Sequence, residues 1–247
     1  VGLVFAAYVA ASASSTASLV EERTETAVVE KTKLLVDLIE GSDKDQRSRT
    51  AARAKALRSK LAGQFELAAE TTDIKGTPAP TLKLNGKVLD LDFALVDDFT
   101  ASTGVVATVF ARSGDDFVRV TTSVLDEKGE RVVGTPLDRA HPAYSAALSG
   151  ASYTGLATLL GRRFMTEYDV IRSAAGDVIG LTFVGLDLTE PTAQLISTIR
   201  GLKIGETGYF YVLDSQPGPT YGAFVVHPTA QGKIMMERLK SIKAKGR

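Results

Sequence analysis

Residues 18–64 run without a proline and are dominated by helix formers, and one element of that length constrains the fold more than any other feature. Val28, Leu35, Leu38 and Ile39 fall near helical spacing, which predicts a buried stripe along the helix. Gly41-Ser42 marks a place for a kink, where Ser42 can cap a second stretch. Residues 43–61 carry many Arg and Lys side chains, read here as a solvated helix face. A helix this long also suits a stalk that transmits motion and pairs with a second copy.

After Gly63 the pattern changes. Residues 72–80 (TDIKGTPAP) read as a loop, and Asn85-Gly86 inside 82–91 is a strong hairpin signal. A short helix over 95–103 ends at Gly104. Strands follow over 105–111 and 117–124, joined by a turn at 112–116. A further turn falls at 126–129. Pro142 opens a helix over 142–148, with Gly150 past its end. Strands are expected over 153–160, 164–171 and 178–186. Thr189 then caps a helix with Pro191 in its first turn and Gly201 behind it. Strands over 209–213 and 223–226 come next, and residues from 234 onward read as helical. Helices and strands are segregated in runs, which predicts an α+β fold. A faint internal echo is present: glycine, strand, turn, strand recurs as 104–124 and 208–226, and His-Pro occurs at 141–142 and 227–228.

Composition narrows the chemistry. The 247 residues are 44% hydrophobic, enough for a substantial core. The 29 basic residues balance 29 acidic ones, so no overall field draws the chain to nucleic acid. With no cysteine, disulfides, thiolate metal sites and thiol nucleophiles are excluded. His141 and His227, the only two histidines, leave little for a metal centre or a histidine-based triad. No phosphate-loop, zinc-protease or nucleophile-elbow motif occurs, and the neighbours Asp97 and Asp98 point about 100° apart on a helix, so they form no dyad. No cofactor and no metal are expected. Residues 1–13 are apolar and uncharged but too short to span a bilayer, for which about 20 residues are needed. They read as the outer end of a transmembrane helix, with a buried helix start or the apolar part of a signal peptide as alternatives.

Three blocks carry a family resemblance: 84–124 (LNGKVLDLDFALVDDFTASTGVVATVFARSGDDFVRVTTSV), 134–155 (GTPLDRAHPAYSAALSGASYTG) and 176–191 (GDVIGLTFVGLDLTEP). Together they resemble the Cache family of bacterial extracytoplasmic sensors, of the Cache_3–Cache_2 fusion type found in methyl-accepting chemotaxis proteins. The stretch 205–233 is similar to the opening of a second Cache module. The resemblance implies a PAS-like antiparallel sheet packed on the long helix, a periplasmic location, a homodimer, membrane attachment through flanking helices, and a small-molecule ligand. It divides the chain into a membrane-helix end (1–13), a stalk helix (14–64), a first Cache module (65–188), and a connecting helix with a partial second module (189–247). The family's second module continues through further strands, often with a tryptophan. This chain has none, so its second module reads as incomplete.

Candidate ligand residues follow from strand period and chemistry. Over 117–124, Phe117, Arg119, Thr121 and Ser123 share one face by parity, and Val118, Val120, Thr122 and Val124 the other. Arg119 and Thr121 beside Phe117 suit a small carboxylate or amino acid. The alternative for Arg119 is a solvent-facing residue in a surface ion pair. On the strand after Gly161, Phe164, Thr166 and Tyr168 share parity, and Arg163 lies on the other face. Each tyrosine can equally be a core residue. His141 reads as a pocket-rim group or a cap-like loop residue, and Tyr144 as a pocket residue or a helix anchor. Tyr209, Tyr211 and His227 are the second-module candidates, with core packing as their alternative. The functional expectation is a carboxylate or amino-acid sensor with a chemotaxis output and no enzymatic activity. A histidine-kinase or cyclic-dinucleotide output, an interaction module without a small ligand, a stalk domain without a cavity, and a hydrolase using one of the histidines are the rivals.

Overall fold

The computed structural model describes residues 3–8, 17–204, 207–215 and 218–237. The elements are β1 (Leu3–Tyr8), α1 (Ala17–Lys60), β2 (Phe65–Ile74), β3 (Thr77–Leu84), β4 (Lys87–Val88) and α2 (Ala94–Thr103). They continue with β5 (Val106–Ser113), β6 (Asp116–Thr122), α3 (Pro142–Leu148), β7 (Tyr153–Leu159), β8 (Arg162–Arg172) and β9 (Val178–Asp187). Last come α4 (Thr189–Gly201), β10 (Lys203–Ile204), β11 (Gly208–Asp214) and β12 (Phe224–Val226). Two compact units result: a central unit, Asp43–Thr189, and a terminal unit built from Val1–Ser42 with Glu190–Arg247. The architecture is α+β, a long N-terminal helix with antiparallel sheets.

Helix α1 runs through Gly41 and Ser42 without interruption, so Ser42 caps no second helix. Within the central unit Thr50, Ala54, Leu57 and Leu61 are all buried. Their spacing of four, three and four residues keeps them on one stripe of a 3.6-residue helix. That stripe packs on Val109, Ala111, Val118, Val120, Ile171 and Val184 of a five-stranded sheet ordered β6-β5-β9-β8-β7. Val96 and Phe99 of α2 and Ile74, Ala79 and Leu82 of a β2-β3-β4 sheet complete this core. Thr81 and Asp90 are also buried. Burial alone pushes the Asp90 carboxyl above its ordinary range, Thr72 and the Leu82 amide opposing it.

The loop expected over 72–80 is instead a hairpin. Lys75 and Gly76 both have positive φ, 49° and 83°, as do Asn85 and Gly86 at the next turn, 51° and 80°. Two consecutive positive φ values are what a two-residue turn needs to match strand twist. Pro78 and Pro80 fit within β3 because β4 pairs only with Lys83 and Leu84, leaving the proline segment an open edge.

Residues Leu3–Tyr8 differ from the helix end expected for 1–13. They form a strand paired antiparallel with β11, from Leu3 opposite Asp214 to Tyr8 opposite Tyr209. Val, Phe and Tyr favour a pleated ladder, and β11 offers a free edge to pair with. Residues 1, 2 and 9–13 lie outside the described ones. Among the described residues no helix is long and apolar enough to cross a membrane.

The terminal unit holds β1, β10 and β12 around β11. Its core is Leu35, Ile199, Ile204, Phe210, Val212 and Val226. Asp187, rather than Thr189, accepts the backbone N–H at the start of α4, at 2.8 Å.

Candidate functional site

One face of the five-stranded sheet meets α1. The other carries Phe110, Phe117, Tyr168, Leu181 and Phe183 beneath Leu137 and the Ala143 and Ala147 side of α3. Strand pairing arranges this second face in rows. Arg119, Phe110, Leu181 and Val170 lie opposite one another, as do Thr122, Thr108, Phe183, Tyr168 and Tyr153 in the next row. The third row is Val106, Gly185, Thr166 and Gly155. A methyl carbon on Gly155 would lie 2.2 Å from the Tyr153 hydroxyl, so glycine there leaves the Tyr153 ring room to lie across the sheet.

A register shift between Val109 and Phe110 decides which β6 residues join these rows. Arg119 pairs with Phe110 but Thr121 pairs with Val109, so Val120 is the extra residue of a bulge. The bulge turns Thr121 to the helix side, where its hydroxyl donates to the Asp92 carbonyl at 2.9 Å. Thr122 takes its place and bonds Thr108 at 2.6 Å. Thr121 therefore does not share the face of Phe117 and Arg119, and strict alternation fails because one residue was inserted.

Arg119 is a charged group on this face. Its guanidinium lies 5.2 Å from the Phe110 ring centroid. Nη1 donates to the Val132 carbonyl at 3.1 Å and to Thr135 Oγ1 at 2.8 Å. Nε is buried and has no hydrogen-bond partner. No carboxylate pairs with it among the described residues, so the surface ion-pair alternative does not apply. Burial lowers the pKa of Arg119, and only Tyr168 opposes that shift. An unpaired ion out of water costs several kcal/mol, and a cation–π contact returns only about 0.5–2 kcal/mol.

His141 caps α3. Its extended backbone (φ −75°, ψ 134°) precedes Pro142, and Nδ1 accepts the Ala143 N–H at 3.2 Å. An accepting Nδ1 puts the proton of the neutral ring on Nε2, which is buried and makes no well-formed hydrogen bond, the Leu156 backbone being at most a weak acceptor. The ring packs 5.3 Å from Tyr153 and 5.5 Å from Tyr168. Burial lowers the imidazole pKa, against the Leu156 backbone and Asp138. Tyr168 packs 4.8 Å from Phe183, and burial raises its hydroxyl to about 12, so it stays a donor at neutral pH.

The other candidates separate. Phe117 is fully buried, edge-on to Tyr144 at 6.4 Å. Tyr144 donates to the Asp115 carbonyl at 2.9 Å, which makes it the anchor of α3. Thr166 is buried on the same face, its hydroxyl committed to the Gly155 carbonyl at 2.8 Å. Arg163 is exposed, opposite Thr158, on the other face of the strand from Phe164 and Tyr168. Tyr153, Phe110 and Phe183 were not anticipated, although Tyr153 opens a strand with a glycine two residues on.

In the terminal unit Tyr209, Tyr211 and His227 do converge. The His227 ring lies 5.2 Å from Tyr209, 6.4 Å from Tyr211 and 4.5 Å from Phe224. Nδ1 accepts the Thr229 and Ala230 N–H groups, both at 3.0 Å, and Nε2 meets the Tyr209 hydroxyl at 3.3 Å. Among the described residues no cluster of acidic and histidine side chains could hold a metal.

Several solved structures are similar to this chain at low identity. The ligand-binding domain of the Pseudomonas aeruginosa PAO1 amino acid chemoreceptor PctC, in complex with GABA, has a TM-score of 0.44 and 15% identity over 86% of this chain and 78% of its own. That of the Pseudomonas fluorescens chemoreceptor CtaA, in complex with L-isoleucine, has 0.42 and 13%, over 90% and 75%. Methyl-accepting chemotaxis protein X has 0.42 and 16%, over 91% and 85%. No curated protein sequence matches the chain. The sequence itself matches a defined family over residues 13–243, nearly its whole length: the chain belongs to the Cache 3/Cache 2 fusion domain family.

Proposed function

We propose that this chain is the extracytoplasmic sensing region of a transmembrane chemoreceptor, that it is not an enzyme, and that it binds a small carboxylate at Arg119. The observation that carries the reading is the half-buried Arg119 guanidinium, whose Nε is buried without a partner and which has no carboxylate partner among the described residues. A carboxylate supplies the missing charge and accepts from Nε, and the Tyr168 hydroxyl and His141 Nε2–H are further donors on the same aromatic face. An amino acid meets the same anion requirement through its own carboxylate.

Family membership supports sensing as the role. In this reading α1 serves as the stalk, two copies pair, and flanking helices cross the membrane with the sensing region outside. A ligand moves the receptor only by its difference in affinity for two sheet–helix arrangements. A thermal-shift screen with organic acids, amino acids and purines tests the proposal. A ligand that binds the folded state raises the melting temperature by mass action. Stabilisation by a carboxylate supports the site, and a well-folded sample that no carboxylate or amino acid stabilises would contradict it.

A further inference from the structure

Strand β8 places Tyr168 on the aromatic face and its two neighbours, Glu167 and Asp169, on the opposite face toward α1. Both carboxylates are largely buried, at 10% and 11% side-chain exposure. Arg58 of α1 reaches both through the same Nη1, contacting Glu167 at 3.3 Å and Asp169 more closely still. Strand β7 and the residue before it supply the remaining partners: Ser152 donates to Asp169 at 2.7 Å and Thr154 to Glu167 at 3.5 Å. One guanidinium thus serves two buried carboxylates, leaving a net negative charge behind the strand that carries Tyr168.

We infer that Arg58, Glu167 and Asp169 form a titratable clasp between α1 and β8, and that its charge state positions Tyr168 for the ligand. The inference rests on the carboxylate reading for its meaning but not for its test. Adjacent strand residues share one backbone, so a shift that draws Glu167 and Asp169 toward or away from Arg58 moves the ring between them. These three are positioning residues, since none touches the aromatic face.

The charged surroundings are few. On α1 they are Arg58 and, further along, Arg47, which pairs with Asp43 at 2.7 Å and donates to the Thr154 carbonyl at 3.4 Å. On β8 there is Asp169, and β9 offers only Val184 and Thr182 opposite the pair. On the far face the titratable neighbours of Tyr168 are His141, Tyr153 and Arg119. Burial first, and Asp169 second, raise the Glu167 pKa above its ordinary 4.5, against Arg58 and Thr154. Acidification therefore protonates Glu167 at a higher pH than an ordinary glutamate, and the clasp loses a negative charge.

The test is a pH titration of the ligand-free chain with 13C-labelled tyrosine, followed by NMR, with the Tyr168 signal assigned by its loss in Tyr168→Phe. The expected result is an inflection with a midpoint above 4.5 that disappears in Glu167→Gln. Should Glu167→Gln fail to fold, Asp169→Asn serves instead and moves the midpoint downward by removing a neighbouring negative charge. A flat Tyr168 signal overturns the inference. So does an inflection that persists unchanged in the variant, which would assign it to His141. Because no ligand is present, either result stands apart from whether a carboxylate binds at Arg119.

Discussion

The two His-Pro sequences build the same device with opposite outcomes. In each unit the histidine Nδ1 accepts backbone N–H groups just beyond the proline, at His141 from Ala143 and at His227 from Thr229 and Ala230. In each the ring stands among tyrosines and a phenylalanine-lined sheet face. Around His227 the protein closes the arrangement itself, with Tyr209 meeting Nε2. Around His141 it does not: Nε2 is buried and makes no well-formed hydrogen bond, and an unpaired guanidinium shares the face. A self-satisfied cluster is a core, whereas one holding donors and a charge without acceptors is built for something that supplies them. That difference locates the proposed site in the central unit.

The comparison breaks most sharply at Arg119. Replacing a half-buried unpaired charge by a flexible apolar chain relieves its desolvation. Arg119→Met should therefore abolish stabilisation by carboxylates completely, while raising the ligand-free melting temperature by roughly 2–8 °C for a gain of about 1–2 kcal/mol. A variant that melts lower and still responds to the same carboxylate would break the account.

The tyrosines sharpen it. Tyr209→Phe removes the partner of a buried imidazole and should cost about 1 kcal/mol, or roughly 2–4 °C in a chain this size. Tyr168→Phe should leave the ligand-free melting temperature within about 1 °C, since that hydroxyl has no protein partner among the described residues, yet weaken carboxylate affinity about fivefold. Calorimetric titration beside thermal melts checks both, and the reverse pattern would exchange the roles of the two clusters.

The polar groups around the central sheet predict pH effects of opposite sign. Glu167 holds its proton more tightly folded than unfolded, so it contributes stability at low pH that is lost as pH rises through its raised folded value. Glu167→Gln mimics the protonated form and should melt about 1–3 °C higher at pH 7.5, with the advantage vanishing near pH 4. His141 has a lowered pKa, so its contribution is complete above 6.5 and is lost as pH falls through the folded value. His141→Asn should flatten the melting-temperature profile below about pH 6.5, the smallest of these effects. An unchanged slope there would remove His141 from the acid response.

Much of the fold is legible in the sequence because its punctuation is local. Asn85-Gly86 marks the β3–β4 turn, Pro142 the first turn of α3, and Gly104 with φ 73° the end of α2. Each acts through backbone conformation that one or two residues dictate. The β2–β3 hairpin is not legible, because Lys75 adopts positive φ with no asparagine to announce it, and prolines survive on an edge that only tertiary pairing reveals. The site is half legible. Parity places Phe117 and Arg119 together, and Thr166 with Tyr168, because β8 has no bulge before Ile171. It misplaces Thr121, since the bulge arises from how β5 and β6 pair and not from any one residue. Arg58 is hidden for a different reason. In a helix rich in Arg and Lys it reads as one more solvated charge, and only the fold brings Glu167 and Asp169 beneath it.

The most direct measurement is the 1H–15N spectrum of the arginine Nε groups, with the Arg119 signal assigned by its loss in Arg119→Met, recorded before and after adding each carboxylate that raises the melting temperature. The account predicts that Arg119 Nε–H moves downfield on binding, as a buried donor gains a charged acceptor, while the other arginine signals stay in place. A carboxylate that stabilises the protein and leaves the Arg119 signal unmoved would contradict it.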